Sequence, residues 1–484
     1  MGFVKLHGVS VLKNTSGPEF LRRFVRDSIK TNIKLVLLLV TSAGLLSCQL
    51  ERGERPRADL SLPGQFSGSG TQAVGDQWWR AFGDGDLNTL ESRALAGNFS
   101  LESAAQRLRQ AEAVLRQTKS ELGAKVDGEL SGSVLDVSEG SIGGSYGLGL
   151  GASYEVDLWG RIRTRVSAEK LRTQASGEDY RAAAISLSAE VATTWMQLLE
   201  ARAQQELLQE QIGTNEKVVQ SLEGRFVEGQ GRGVDILRQR QLVEATRERL
   251  TVAELQSEIL EHQLQVLLGR APGTGGLPTG GSLPSLPASL RTGLPVQLLE
   301  RRPDVRAAFA RIRAADAEVA AAMADRYPSL SLGASIGTSE GNSASDLFSN
   351  WTTQLSANLI GPIVDAGLRQ AEVDRNEAVL REAIADYRQL VVEAIGEVEN
   401  ALARERKQLE RIRQLERQLS LAERSSHQLQ REFINGVTEY LDVLTALDDE
   451  QELRRTLLSA RRELLEYRIA LYRSLAGGFT LGKA

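Results

Sequence analysis

Two kinds of hydrophobic pattern alternate along the chain. From Ser145 to Leu158, Tyr146, Leu148, Leu150, Ala152, Tyr154, Val156 and Leu158 alternate with Gly147, Gly149, Gly151, Ser153, Glu155 and Asp157. The same period of two returns in Pro328–Thr338, where Leu330, Leu332, Ala334 and Ile336 alternate with Ser331, Gly333, Ser335 and Gly337, and again from Trp351 to Leu359. Lys125–Val137 alternates less cleanly. These stretches predict four strands with one apolar face and one small, polar face. Such strands fit a membrane barrel with a wet lumen, and they also fit a half-buried sheet in a soluble protein.

Elsewhere the period is that of a helix. Leu198, Leu199, Ala203 and Leu207, and later Val391, Ile395, Val398 and Leu402, recur at spacings of three and four, the stripe of helices packed on neighbours. The prolines agree: none lies between Pro63 and Pro272, five fall from Pro272 to Pro295, and none follows Pro362. Since proline inside a helix costs about 3 kcal/mol, long helices are expected at 161–225 and 367–432. At 1.5 Å per residue each runs roughly 95–100 Å, too long for an ordinary globular helix. Alone, these helices would also suit a solvated coiled-coil rod.

The chain also matches itself. Arg107-Leu-Arg-Gln-Ala-Glu aligns with Arg311-Ile-Arg-Ala-Ala-Asp, Phe226-Val-Glu-Gly with Phe433-Ile-Asn-Gly, and Val234-Asp-Ile-Leu with Leu441-Asp-Val-Leu. We read this as an internal duplication. The first copy spans 87–269, with a helix, strands within 125–158, the long helix 161–225 and a helix at 234–268. The second spans 299–475, with a helix at 303–326, strands within 328–363, the long helix 367–432 and a helix at 438–474. A Pro/Gly-rich connector, 270–298, is expected outside the bundle; 48–86 is read as an extended segment and 476–484 as a tail. Four strands cannot close a barrel, since single-chain barrels begin at about eight. A membrane reading therefore needs an oligomer of two chains or three.

Composition narrows the chemistry. With one Cys and three His among 484 residues, a disulfide scaffold and a Cys/His zinc site are excluded. Beyond residues 1–47, which hold seven Lys/Arg and two Asp/Glu, 51 basic residues face 61 acidic ones, so nucleic acid is not expected as a partner. His7 lies in the leader, and His262 and His427 stand in helical tracts without carboxylates at ligand spacing. The glycines at Gly140, Gly143 and Gly144 precede no βαβ helix. Neither enzyme activity, metal nor cofactor is expected.

Arg22, Arg23, Arg26, Lys30 and Lys34 precede the apolar run Leu35–Val40, and Leu45-Leu46-Ser47-Cys48 follows. The hydrophobic region is too short to span a bilayer of about 30 Å and has the form of a secretory signal over 1–47. Leu-Leu-Ser-Cys resembles a bacterial lipobox, which implies lipidation at Cys48, including palmitate; Gln49 after the cysteine favours sorting to the outer membrane.

Several motifs together resemble the TolC-like outer-membrane efflux proteins, and the lipobox points to their NodT/OprM-like lipoprotein branch. They are Trp78-Trp79-Arg-Ala-Phe82-Gly-Asp-Gly-Asp86-Leu87, Ala94-Leu-Ala-Gly-Asn98, Tyr154-Glu155-Val-Asp157-Leu-Trp159-Gly160-Arg161, Leu299-Glu300-Arg301-Arg302-Pro303-Asp304-Val305 and Tyr327-Pro328-Ser-Leu-Ser-Leu. The resemblance implies a mainly α fold with a membrane β-barrel: a homotrimer closing twelve strands, continued by a long α-helical barrel into the periplasm. It implies an outer-membrane, lipid-anchored channel of a tripartite efflux system, passively conducting drugs or other small molecules. The implied partners are a periplasmic adaptor, an inner-membrane pump of the RND type and outer-membrane lipid. Type I protein secretion shares this fold, and a structural coiled-coil lipoprotein without a pore is the alternative of another class.

The resemblance also implies where function lies. Leu441 and Asp442 match the family's periplasmic gate, with Leu441 the apolar ring and Asp442 an acidic one. Thr445 stands where a second acid is often found, and Asp235 is the first-copy counterpart of Asp442. Asp235 also suits a helix-start acid, and Thr438 suits the N-cap of the last helix. Arg225, Gly229, Gly231, Gly233, Glu432 and Gly436 fall at the helical tips, where the family meets its adaptor. Arg301, Arg302, Pro303 and Asp304 read as structural, Trp351, Tyr146 and Tyr154 as membrane-interface aromatics, and Trp78 and Trp79 as packing residues.

Overall fold

The computed structural model describes residues 60–137, 141–341 and 350–475. Cys48, the leader 1–47 and the tail 476–484 lie outside the described residues. A 3-10 turn at Trp78–Phe82 leads into helix α1 (Gly85–Gly97) and α2 (Phe99–Ser120). Strands β1 (Lys125–Val137) and β2 (Ser141–Val156), the long helix α3 (Arg161–Val227) and α4 (Gly233–Leu267) complete the first copy. The second holds α5 (Pro295–Arg301), α6 (Pro303–Ala324), β3 (Ser329–Gly341), β4 (Thr352–Ile360), the long helix α7 (Leu368–Ile434) and α8 (Tyr440–Leu475). Each long helix has 67 residues, about 100 Å of length.

Three expectations are corrected. The first helix of copy one is two helices. Asn98 ends α1 with extended backbone and caps α2 by accepting from Leu101 N at 3.0 Å, and Gly97 beside it packs so closely on Gly269 that a Cβ there would lie 2.0 Å from the Gly97 carbonyl oxygen. The segment before residue 87 is not wholly extended, because Trp78, Trp79 and Phe82 turn inward to reach apolar surface. The connector does not stand outside the bundle: Leu290 is buried and Leu277, Leu283 and Leu286 pack on the main core. Arg468 of α8, itself buried, makes a bidentate pair with Glu405 of α7 at 2.7 Å and donates to the carbonyls of Pro287 and Ala288.

The four strands form one antiparallel sheet in the order β1-β2-β3-β4. Register aligns Val126, Ala152, Ala334 and Leu355 in one row, and Asp127, Gly151, Ser335 and Gln354 in the next. Since neighbouring positions point to opposite faces, one face is largely apolar and the other small and polar. β1 reads less cleanly in sequence because Gly128 and Gly132 fall among its apolar positions and the alternation breaks at Leu135. The apolar face is open: Leu130 is 78 % and Leu355 87 % exposed, with Tyr146 and Tyr154 on the same face and Trp351 exposed just before β4. No described helix is long and apolar enough to cross a membrane.

Helices α3 and α7 are spines that serve different neighbours toward their two ends. Toward the sheet, α3 packs on α2 and α6, and α7 on α6; farther away, α3 pairs with α4, and α7 with α8. The α3–α6 register is marked by ion pairs seven residues apart on both helices: Arg165–Asp325, Arg172–Glu318 and Asp179–Arg311. Pairs this exposed are worth roughly 0–1 kcal/mol each, so they select register more than they stabilise it.

The main core sits midway along the spines. Trp78 stacks on Tyr472 at 5.1 Å, Trp195 is fully buried, and its indole donates to Asp84 at 2.7 Å. Asp84 also caps α1 through Asp86 N and Leu87 N. At the sheet end, Asp157 caps α3 by accepting from Ile162 N and Arg163 N, and Trp159 stacks on Tyr327 at 4.8 Å while donating to the Pro328 carbonyl. Arg302 binds Asp304 and Glu397 at 2.6 Å each.

Glu91 of α1 is fully buried within this core, and neither carboxyl oxygen has a partner at hydrogen-bond distance. Burial pushes its pKa well above the ordinary carboxylate range, offset only in part by the Ser188 hydroxyl. The folded protein therefore holds a proton that the unfolded chain releases above about pH 4.3. Its contribution to stability is complete below that pH and is lost as pH rises toward the raised value. Glu91→Gln should remove this slope: thermal unfolding followed from pH 4.5 to 8 should show the variant gaining on the native protein by up to about 1.4 kcal/mol per pH unit. Parallel pH profiles would contradict the assignment.

Candidate functional site

The far ends of the two helical hairpins carry most of the residues singled out from the sequence, and the duplication is seen there in backbone detail. In copy one, Gln230 N donates to Arg225 O at 2.8 Å and Gly229 N to Phe226 O at 3.0 Å. In copy two, Val437 N donates to Glu432 O at 2.8 Å and Gly436 N to Phe433 O at 3.1 Å. Gly229 (φ 73°) and Gly436 (φ 72°) supply the left-handed residue that this helix ending needs. A Cβ on Gly231 would lie 3.2 Å from Phe226 N, so the copy-one turn is tight, and Gly233 opens α4 directly after it.

The two tips touch. The Arg225 guanidinium lies 4.8 Å over the Phe433 ring, a cation–π contact. Arg232 pairs with Asp235 at 3.1 Å and reaches Glu439 of the other tip at 3.3 Å. Phe226, Val227, Ile434 and Val437 remain exposed around these contacts, and the Glu432 side chain accepts from Gln428.

The residues expected at the gate divide. Leu441 (44 % exposed), Asp442 and Thr445 share an exposed face at the start of α8. The Thr445 hydroxyl donates to Leu441 O at 2.9 Å, so it presents no acidic function there. Asp235 is not with them: it is 4 % exposed, beneath Arg232. Thr438 does not cap α8, which begins at Tyr440; its hydroxyl donates to the Asp442 carboxylate at 2.7 Å.

Sequence reasoning missed what joins the two hairpins behind that face. The Tyr440 hydroxyl donates to Gln239 at 2.5 Å, and Gln239 donates to the Asn215 carbonyl at 3.1 Å. Asn215 exchanges amide hydrogen bonds with Gln451 at 3.0 and 3.2 Å, and Arg455 donates to Gln211 at 2.5 Å. All of these side chains are buried. The seam between α3/α4 and α8 is thus hydrogen-bonded, while apolar contact at the tip is confined to a small cluster around Leu222, Ile236, Tyr440 and Val443. One signal was available: the duplication pairs Tyr440 with Gly233, and an aromatic at a helix start needs a partner. Burial and the nearby Asp235 carboxylate push the Tyr440 pKa up, so the phenol stays a donor.

Long helical hairpins with an exposed tip, joined to a four-stranded antiparallel sheet with one largely apolar, exposed face, are the architecture of outer-membrane channels. The sequence profile of the outer membrane efflux protein family matches residues 90–270 and 294–477, and the chain belongs to that family. It is 31 % identical to the pyoverdine export outer membrane protein OpmQ of Pseudomonas aeruginosa, over 93 % of this chain and 97 % of that one. It is 29 % identical to the cation efflux system protein CusC of Escherichia coli, over 92 % and 99 %. Among solved structures, the outer-membrane channel OprN superposes with a TM-score of 0.82 at 27 % identity, covering 88 % of this chain and 99 % of that one. The open-state MtrE channel of Neisseria gonorrhoeae superposes at 0.80 with 26 % identity, covering 88 % and 98 %. The protein is an outer-membrane efflux component, and family members are channels.

Tyr440→Phe keeps the ring packed on Phe433 at 5.3 Å but leaves the Gln239 oxygen without its donor, at a cost of about 1–3 kcal/mol. Hydrogen exchange at the start of α8 should accelerate accordingly while the equatorial core is unchanged. Equal protection in both proteins would remove the seam's anchor.

Proposed function

We propose that three copies close a twelve-stranded barrel in the outer membrane and continue as an α-helical tunnel into the periplasm, where the tips meet a periplasmic adaptor and an inner-membrane pump of the RND type. The observation that carries this is the sheet itself: apolar on one face, polar on the other, unpaired at β1 and β4. Lipid tolerates no open edge, and three such sheets supply an even number of strands within the known range. The protomer needs no catalytic group: it conducts passively what the pump delivers.

Leu441 and Asp442 form the closed end, where three copies narrow the tunnel with an apolar and an acidic ring, while Asp235 braces Arg232 rather than lining the pore. Arg225, Gly229, Gly231, Gly233, Glu432 and Gly436 shape the adaptor-docking tips, and the exposed Phe226, Val227, Ile434 and Val437 provide apolar surface for that contact. Cys48 carries the lipid anchor. Ser67 N donates to Glu399, about 47 Å along α7 from its start near the sheet. The similar proteins named for pyoverdine, cation and toluene export handle chemically different small solutes, which supports a duct that leaves substrate choice to the pump.

Leu441→Ala with Asp442→Ala should raise the single-channel conductance of the trimer in planar bilayers severalfold. Conductance equal to that of the native protein would place the constriction elsewhere.

A further inference from the structure

The polar face of the sheet has an uneven distribution of charge that the gate does not explain. Above Lys125 at its base, the inward positions of β1 are Asp127, Glu129, Ser131 and Ser133, and those facing them across β2, β3 and β4 are Gly, Ser, Thr or Gln. Asp127 stands in register with Gly151, Ser335 and Gln354, and Glu129 with Gly149, Gly337 and Thr352. Both carboxylates line the trough along this face. Neither has an ion pair or hydrogen bond among the described residues, whereas Glu155, lower on the same face, is held by Arg161 at 2.6 Å.

Two glycines on the same wall sit close to neighbouring serines, while Gly151 opposite Asp127 faces open space. A Cβ on Gly147 would lie 2.6 Å from Ser131 Oγ, and one on Gly333 would lie 2.6 Å from Ser356 Oγ. The facing positions of β2, β3 and β4 thus hold only small or uncharged polar residues, and the acids of β1 stand on an otherwise uncharged wall.

We infer that Asp127 and Glu129 are specificity-determining residues of the barrel: a charge filter in the membrane segment, separate from the gate, that favours cationic and neutral solutes over anionic ones. This rests on the trimeric duct. Twelve strands about 4.8 Å apart and tilted near 40° give a backbone radius of about 12 Å. The Debye length is about 10 Å at 0.1 M salt and 3 Å at 1 M. Six carboxylates around such a lumen therefore bias its whole cross-section at 0.1 M and only its wall at 1 M.

The test uses the full-length trimer with Leu441→Ala and Asp442→Ala, so that the gate contributes no charge, in planar bilayers under a KCl gradient. The expected K⁺/Cl⁻ permeability ratio exceeds its bulk value at 0.1 M and collapses at 1 M. Adding Asp127→Asn and Glu129→Gln should lower the 0.1 M ratio by about twofold or more, and Asp127→Lys with Glu129→Lys should turn the preference toward chloride. Heat-modifiable trimers on gels confirm that each variant has assembled. A ratio unmoved by either pair of substitutions overturns the filter while leaving the duct intact. Native trimers that form no channel overturn the duct reading and the filter with it.

Discussion

A strand whose backbone N–H and C=O groups face hydrocarbon without partners loses several kcal/mol per group. This protomer has two such edges, one along β1 and one along β4. The apolar outer face asks for lipid, and the edges forbid the chain from entering lipid alone. In the trimer proposed above, joining β4 of one copy to β1 of the next resolves that conflict, and the remaining architecture serves the joining. The duplication provides paired strands at equivalent levels, and the two spines hold those strands at one end and the tips about 100 Å away at the other.

Energy is distributed accordingly along the protomer. The core midway along the spines is dense and aromatic, with Trp78 stacked on Tyr472, Trp195 fully buried, and Asp84 serving both an indole and a helix start. Toward the tips, α3/α4 meets α8 through amides, a phenol and a guanidinium beside one small apolar cluster. Hydrogen bonds of this kind contribute about 1 kcal/mol each and are directional, so the seam fixes one arrangement without the bulk of a hydrophobic interface.

Much of the fold was readable from sequence because its signals are long. Period two over ten residues and proline-free tracts of more than sixty leave little choice, and the self-match tied the halves together. The errors arose where one residue decides geometry. Asn98 breaks a helix that the pattern runs through, and Leu290 with its neighbours draws a Pro/Gly-rich connector onto the core. Thr438 yields the helix start to Tyr440. Motifs that marked the family proved to be joints: Trp78-Trp79, Asp157-Leu-Trp159 and Arg302-Pro303-Asp304 pack, cap or bridge. Leu441, Asp442 and Thr445 were found through resemblance and do share one exposed face. Gln239, Asn215 and Gln451 were not found, because a buried polar side chain on a long helix has no local signature; only its cross-helix partner, far away in sequence, gives it meaning.

The central claim is that three copies, and neither one nor two, complete the barrel. Native mass spectrometry of the mature protein extracted from outer membranes in mild detergent tests it most directly. The account predicts a single species at three times the mass of the lipidated chain, falling to monomer only on heating or denaturation. A stable monomer or dimer as the sole extracted species would contradict it.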